Sequence, residues 1–238
     1  MVSPWLGDVR PFTLDSSSQL RGTEPPPPLA SAKYTEDYNE VKALGRVDST
    51  SRTPEQTALA IFYSDNFITL WERTLRGISA ANINNLGDTA HLFALANLAS
   101  ADAVINAWNG KKYWNFWRPI TAIQMGYHDG NPDTVGDAAW LPFIATPAYA
   151  EYPSGANNLT GAMTRTLENL VGNSITFTVF STPANATKTY EHFSDVADDV
   201  VNVRIYQGIH FRAADELARK QGTAAADWAF AKFLRLYQ

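Results

Sequence analysis

The chain has 238 residues, 45% hydrophobic and 18% charged, with a net charge of −5 and no cysteine. Such a chain can bury a sizeable core without disulfide or metal staples, and lacking cysteine it has no thiol nucleophile, thiolate metal site or disulfide. The acidic balance without a basic tract argues against nucleic-acid or acidic-membrane partners, so an anion site must be a local cluster of cations.

The start, MVSPWLGDVRPF, has neither the charged n-region nor the apolar h-region of a signal peptide, and no apolar run of roughly 18 residues or more occurs. A soluble protein that does not insert into a membrane is expected. Residues 1–52 read as an extended, proline-rich segment packed on the core. Within it Pro25–Pro28 favours polyproline II, as a strap or as a ligand for a proline-binding module.

Residues 53–238 read as one helical domain. TPEQTALAIFYSDNFITLWERTLRGIS opens with Thr53 as a cap and Pro54 at the first helical position. Ala58, Ile61, Phe62, Leu70, Trp71 and Leu75 keep helical spacing. A second helix is predicted over about Thr89–Trp108, apolar nearly all round and therefore buried. A third helical stretch covers Lys111–Met125, and GYHDGNPDTVGD then reads as a loop. Ser154–Val171 reads as helix, TFTVF (176–180) as a short strand, and Phe193–Gln207 and Phe211–Leu236 as two closing helices. No repeat or linker divides residues 53–238. The expected class is all-α, a helical bundle.

Three segments set cations beside flexible or helix-starting backbone. In KKYWNFWRP, Lys111 and Arg118 are seven residues apart. They either share one face of a helix or flank an elbow opened by Pro119, and outside a site both would snorkel from the surface. In PSGANN, Ser154 is placed to cap a helix whose free N–H groups attract anions. In NVRIYQGIHFR, Arg204 and His210 flank Gly208, a residue that permits close backbone approach.

Taken in order and spacing, Lys111, Arg118–Pro119, Pro153–Ser154–Gly155, and Arg204, Gly208 and His210 resemble the signature of the vanadium-dependent haloperoxidases. That family shares its fold and pocket with the type 2 phosphatidic acid phosphatases and bacterial acid phosphatases. PFTLDSSSQLR, YNEVKALG, RTPEQTALAIF and DGNPDT resemble its soluble bacterial branch, so the likeness covers essentially the whole chain.

The resemblance implies that Lys111, Arg118, Ser154, Gly155 and Arg204 hold the oxygens of vanadate, or of phosphate as an isosteric occupant. His210 would bond vanadium in a haloperoxidase, with Lys111 polarising the peroxide, or attack phosphorus in a phosphatase. The implied partners are hydrogen peroxide, a halide, and an unidentified organic or phosphoester substrate. In the family, a region resembling Trp5–Phe12 follows an N-terminal helical layer. A preceding helical region or second subunit is therefore expected, and export would depend on it.

Two positions depart from the pattern. Val203 stands where a serine is common. Ala156 stands where the family places an acid–base histidine, and an alanine transfers no proton. General acid–base catalysis contributes roughly 10²–10⁴ in rate, so hydrolysis of alkyl phosphate esters should suffer most, and among the halides the oxidation of chloride, the hardest of the common ones. His128, in the loop between the first two motifs, is the best candidate substitute, ahead of His91 and His192. Three readings follow: a haloperoxidase, a phosphatase working through a phosphohistidine, or an anion-binding homologue that has lost turnover.

Overall fold

The computed structural model describes residues 2–234. A 3-10 turn, Pro4–Asp8, leads into a strap that crosses the bundle, with Pro25–Pro28 outside any helix or strand. Asp102 pins the strap. Its carboxylate accepts the backbone N–H groups of Phe12 (2.7 Å), Thr13 (2.6 Å) and Leu14 (2.9 Å) and the Thr13 hydroxyl (2.6 Å).

Residues 32–44 depart from the extended reading of the N-terminal segment. They form α1 (Ala32–Leu44), capped by the Ser31 side chain, which accepts from the Tyr34 N–H. Tyr34, Tyr38 and Val41 recur at helical spacing and are buried. Polar residues fill the rest of the helix and mask that stripe in the composition.

The single helix expected from Thr53 is two, α2 (Pro54–Phe62) and α3 (Phe67–Asn82). Thr53 and Gln56 form a reciprocal capping box at the start of α2, and the Asn66 side chain caps α3 by accepting from Ile68 and Thr69. A new cap inside the run is what divides it. Helix α4 (Leu86–Trp114) is longer at both ends than expected and stops at Asn115, which turns left-handed at φ 44°. With α5 at Pro119–Gln124, the stretch from Lys111 to Met125 is an elbow rather than one helix.

Helix α6 (Gly155–Val171) and α7 (Phe193–Tyr206) fall where the sequence placed them. Between them β1 (Ser174–Ser181), which contains the expected strand, pairs antiparallel with β2 (Ala186–His192). The second strand was not expected, because only Tyr190 in ATKTYEH is buried. Helix α8 (Arg212–Lys232) ends before the predicted Leu236, which lies outside the described residues. Among the described residues no helix is long and apolar enough to cross a membrane.

Three packing clusters fix the frame. The largest gathers Trp71, Leu75, Leu167, Phe193 and Val200 beneath α2, α3, α6, α7 and the hairpin. A second, around Tyr34, Tyr38, Trp140 and Phe211, ties α1 and the long α5–α6 connection to the start of α8. The third is built of small residues, Ala99, Ala103, Ala162, Ala225 and Ala229, where α4, α6 and α8 meet. Gly161 lies against the backbone of Arg219 and Gly222 against that of Asn158, so α6 and α8 approach nearly backbone to backbone. The arrangement brings the C-terminal end of α4, the start of α6 and the α7–α8 turn to one place.

Candidate active site

Lys111 lies in the last turn of α4, Arg118 just before α5, and Ser154 and Gly155 at the start of α6. Arg204 is in the last turn of α7, and His210 is in the turn into α8. The fold brings these six residues together, and their side chains are buried rather than snorkelling. Exposure is 0% for Lys111, 6% for Arg118, 0% for Ser154, 7% for Arg204 and 1% for His210. Gly155 and Ala156 are half-buried.

Lys111 and Arg118 are aimed by backbone carbonyls, and Arg204 by a side chain. Lys111 Nζ donates to the carbonyls of Ala150 (2.9 Å) and Glu151 (3.0 Å). Arg118 Nε donates to the Tyr149 carbonyl (2.8 Å), and its Nη1 donates to the Ile209 carbonyl (2.7 Å) and to His210 Nε2 (3.0 Å). Arg204 Nη1 donates to Gln207 Oε1 (2.8 Å), whose amide is held by the Ala60 carbonyl (2.9 Å). Tyr149 lies beneath two of the cations, its ring centre 5.1 Å from Lys111 Nζ and 4.8 Å from Arg118 Cζ.

Two glycines are required by space. A Cβ on Gly155 would come within 2.9 Å of the Trp108 ring. Gly208 has φ +77°, and a Cβ there would meet the Gly45 carbonyl at 2.3 Å. That turn sets the offset between Arg204 and His210.

The imidazole is oriented from behind. His210 Nδ1 donates to Glu151 Oε1 (3.0 Å), which also accepts the Phe211 backbone N–H (2.9 Å). This contact places the proton on Nδ1 and leaves Nε2 as the acceptor that Arg118 meets. Burial, reinforced by Arg118, Lys111 and Arg204, holds His210 well below the ordinary histidine range, so it is neutral. Burial also lowers Lys111 well below the usual lysine range, and the neighbouring Arg118 and Arg204 add to that effect. Glu151 is pushed up to about 8 by burial, against the pull of Arg118, the Phe211 N–H and Lys111.

The pocket's hydrogen bonding is incomplete in a patterned way. Among the described residues Arg118 Nη2, Arg204 Nε and Ser154 Oγ are buried without a partner. Ser154 occupies the N-cap position of α6 but makes no side-chain capping bond, contrary to the expectation that it would. The first N–H groups of α6, starting with Gly155, also have no intrahelical partner. Buried donors are ordinarily satisfied, so orphaned ones on three residues of the set fit an anion that brings its own oxygens. Vanadate or phosphate meets that requirement. Glu151 Oε2 and Asp215 Oδ2, also without partners among the described residues, are acceptors that only a proton or a donor can meet. Among the described residues no cluster of three or more His, Asp or Glu offers a cage for a bare cation.

His128 is exposed at the end of the 3-10 turn Gly126–His128, and among the described residues no hydrogen bond links it to this set. His91 bonds the Leu234 carbonyl and His192 meets Ser174, so neither joins the pocket. Two residues of the site were missed in the sequence. Glu151 is the only charged residue between Asp137 and Arg165, a signal that was readable. Asp215 lies in the first turn of α8 among alternating charges that read as a solvated face, yet it is wholly buried.

Residues 91–238, more than half of the chain, match the VCPO second helical-bundle domain. Over 174 residues the sequence is 30% identical to the vanadium chloroperoxidase of Curvularia inaequalis, covering 59% of this chain and 28% of that protein. The crystal structure of the first bacterial vanadium-dependent iodoperoxidase is similar at a TM-score of 0.86 and 27% identity, over 100% of this chain and 59% of its own. The holo form of a bacterial vanadium-dependent chloroperoxidase shares the fold at a TM-score of 0.77 and 16% identity, over 97% of this chain and 54% of its own. The chain thus spans between 28% and 59% of the length of these relatives. By the extent of that match, the chain belongs to the family of the VCPO second helical-bundle domain.

Proposed function

We propose that this chain carries the vanadate site of a haloperoxidase, at which hydrogen peroxide oxidises a halide. The observation that supports it most is the set of unpartnered donors, Arg118 Nη2, Arg204 Nε and Ser154 Oγ, gathered with a neutral imidazole whose Nε2 is an acceptor. When bound, vanadate supplies a Lewis acid that activates peroxide without changing oxidation state.

The residues do the rest. Lys111, Arg118 and Arg204 offset the charge of the anion, and each charge-assisted hydrogen bond is worth roughly 1.5–3 kcal/mol. Ser154 Oγ and the Gly155 N–H hold further oxygens. Glu151 keeps the proton on Nδ1 of His210, so Nε2 carries the lone pair that would bond vanadium, and Arg118 Nη1, which donates to it in this structure, would turn to the anion instead. Lys111, anchored by two carbonyls, presents a remaining N–H to polarise peroxide.

Ala156 gives the pocket no imidazole at that position, which favours iodide or bromide over chloride as substrate. The likeness to an iodoperoxidase supports the same choice. The test is halogenation of a trapping dye after reconstitution with orthovanadate, given peroxide and iodide or bromide, with His210→Ala as control. Vanadate-dependent turnover absent from the control is the expected result.

A second reading rests on the same neutral Nε2, which is also a competent nucleophile toward a phosphate ester. Cleavage of an aryl phosphate without vanadate, and inhibition by it, with no halogenation, would select that reading instead.

A further inference from the structure

We propose that Asp215 supplies the proton-transfer group that is missing at Ala156, exchanging a proton with the bound oxyanion through the Ser154 hydroxyl. This inference rests on the oxyanion reading of the site.

The geometry points to Asp215 from two sides. Its side chain is wholly buried in the first turn of α8, with Oδ1 accepting from Asn157 Nδ2 at 2.8 Å. Asn157 directly follows Ala156, so the carboxyl lies behind the stretch of α6 that lacks an acid–base side chain. The Ser154 N–H donates to the Ala214 carbonyl (3.2 Å), which fastens Ser154 to the residue before Asp215. Asp215 Oδ2 and Ser154 Oγ are both buried and, among the described residues, neither has a hydrogen-bond partner, so both are free to bond each other when an anion settles on Ser154. A fixed carboxylate that only anchored Asn157 would leave an oxygen wasted in a dry place, at a cost of about 1–3 kcal/mol. A carboxyl that shares a proton with Ser154 uses both atoms.

The surroundings set its working range. Arg204 from α7 and Arg212 from α8 pull the carboxyl down, with the Ser154 hydroxyl and the Asn157 amide. It in turn acts on Lys111 from α4, on Arg118 before α5 and on Glu151 from the connection before α6. Burial outweighs the opposing groups and holds Asp215 at about 7. A group there both holds and releases a proton near neutrality, as acid–base work requires.

The transfer balances without a co-reactant. Asp215 gives its proton to Ser154 Oγ as Ser154 gives its own to an anion oxygen, and the return runs in reverse. Because it acts through Ser154, Asp215 is a positioning residue: it sets the protonation of the hydroxyl that faces the anion.

Sulfate is the probe, a tetrahedral dianion with no proton of its own to titrate near neutrality. Calorimetric titration near pH 7 in two buffers of different ionisation enthalpy counts the protons taken up on binding. Placing a dianion beside Asp215 raises its affinity for a proton, so the wild type should take up a fraction of a proton from this group. Asp215→Asn should still bind sulfate but lose that fraction. Affinity should also weaken more steeply above neutrality in the wild type, by up to about tenfold per pH unit, than in the variant. In the vanadate-reconstituted protein the limb of the halogenation pH profile near neutrality should flatten with the same substitution. If Asp215→Asn does not fold, Asp215→Ser leaves a smaller neutral group and gives the same reading.

Equal proton uptake and equal pH dependence in wild type and variant would overturn the role of Asp215 while leaving the anion site intact. Failure of the wild type to bind sulfate or phosphate at all would overturn the oxyanion reading, and this inference with it.

Discussion

The Arg204 guanidinium shows how much of the site was legible in single residues. Its place in the motif was readable from its spacing to Gly208 and His210. Its burial, its bond to Gln207 and its unpartnered Nε depend on α7 meeting α2 and α6, which local sequence does not encode. Glu151 and Asp215 escaped for a related reason. A carboxylate is read as surface by default, and only the fold removes these two from water. Lysine cannot reproduce the planar fork of arginine. Arg204→Lys should therefore weaken phosphate binding by about 10–100-fold, the equivalent of one charge-assisted hydrogen bond, as measured by calorimetry. An unchanged affinity would remove Arg204 from the anion site. For Asp215, at about 7 in the folded protein against an ordinary 3.8, the folded state holds more protons than the unfolded one between those values. Its favourable contribution is complete below pH 3.8 and is lost as pH rises through about 7. Denaturant titrations at several pH values should thus show Asp215→Asn gaining on the anion-free wild type from pH 5 to pH 8, by on the order of 1–3 kcal/mol. A constant difference across that range would mean that Asp215 keeps its ordinary acidity in the fold.

Among the elements, α6, α7 and α8 were legible nearly to their ends, and α4 through its apolar middle but not its last turns. The misses share one cause, a local signal that is weak until a partner covers it. In α1 a three-residue stripe is diluted by charge, in β2 one buried tyrosine is all that faces the core, and the α2–α3 break rests on a cap inside an apolar run. The contact that matters most for the pocket is the close crossing of α6 and α8. A Cβ on Gly222 would lie 2.1 Å from the Asn158 carbonyl, which is backbone and cannot swing aside. Gly222→Ala should therefore push α8 from α6 and cost about 1–3 kcal/mol. Ser154 and Asp215 sit one on each of those helices, so phosphate affinity should fall along with stability. Gly77, which has nothing within 4 Å of an added Cβ, is the control: Gly77→Ala, on the exposed side of α3, should leave binding unchanged and stabilise the helix slightly. Thermal melts and calorimetry on the pair would check both. Loss of stability at Gly222→Ala with full anion affinity would separate the helix crossing from the site.

Across the whole molecule, the pocket stores unfavourable electrostatics that an anion relieves. Lys111, Arg118 and Arg204 are each held below their ordinary affinity for a proton, with burial the leading cause in every case. Glu151 and Asp215 are raised by the same burial and so give up part of the negative charge that could have compensated. The three cations are fixed in place by α4, α7 and the backbone carbonyls of the α5–α6 connection, so they cannot relax into water without opening the bundle. An oxyanion that binds only the folded state therefore stabilises the entire chain. At a hundred times its dissociation constant the gain is about 2.7 kcal/mol, which for a domain of this size is roughly 5–10 °C in Tm. Orthovanadate should raise Tm by at least as much as phosphate, because only vanadium can add a bond to His210 Nε2. In His210→Ala the two anions should become equivalent, while both still stabilise through Arg118, Arg204 and Ser154. Thermal melts of the two proteins with no anion, with phosphate and with orthovanadate measure this directly. A Tm indifferent to both anions at saturating concentration would mean that the buried cations are balanced within the fold, and the reading of this pocket as an oxyanion site would fall.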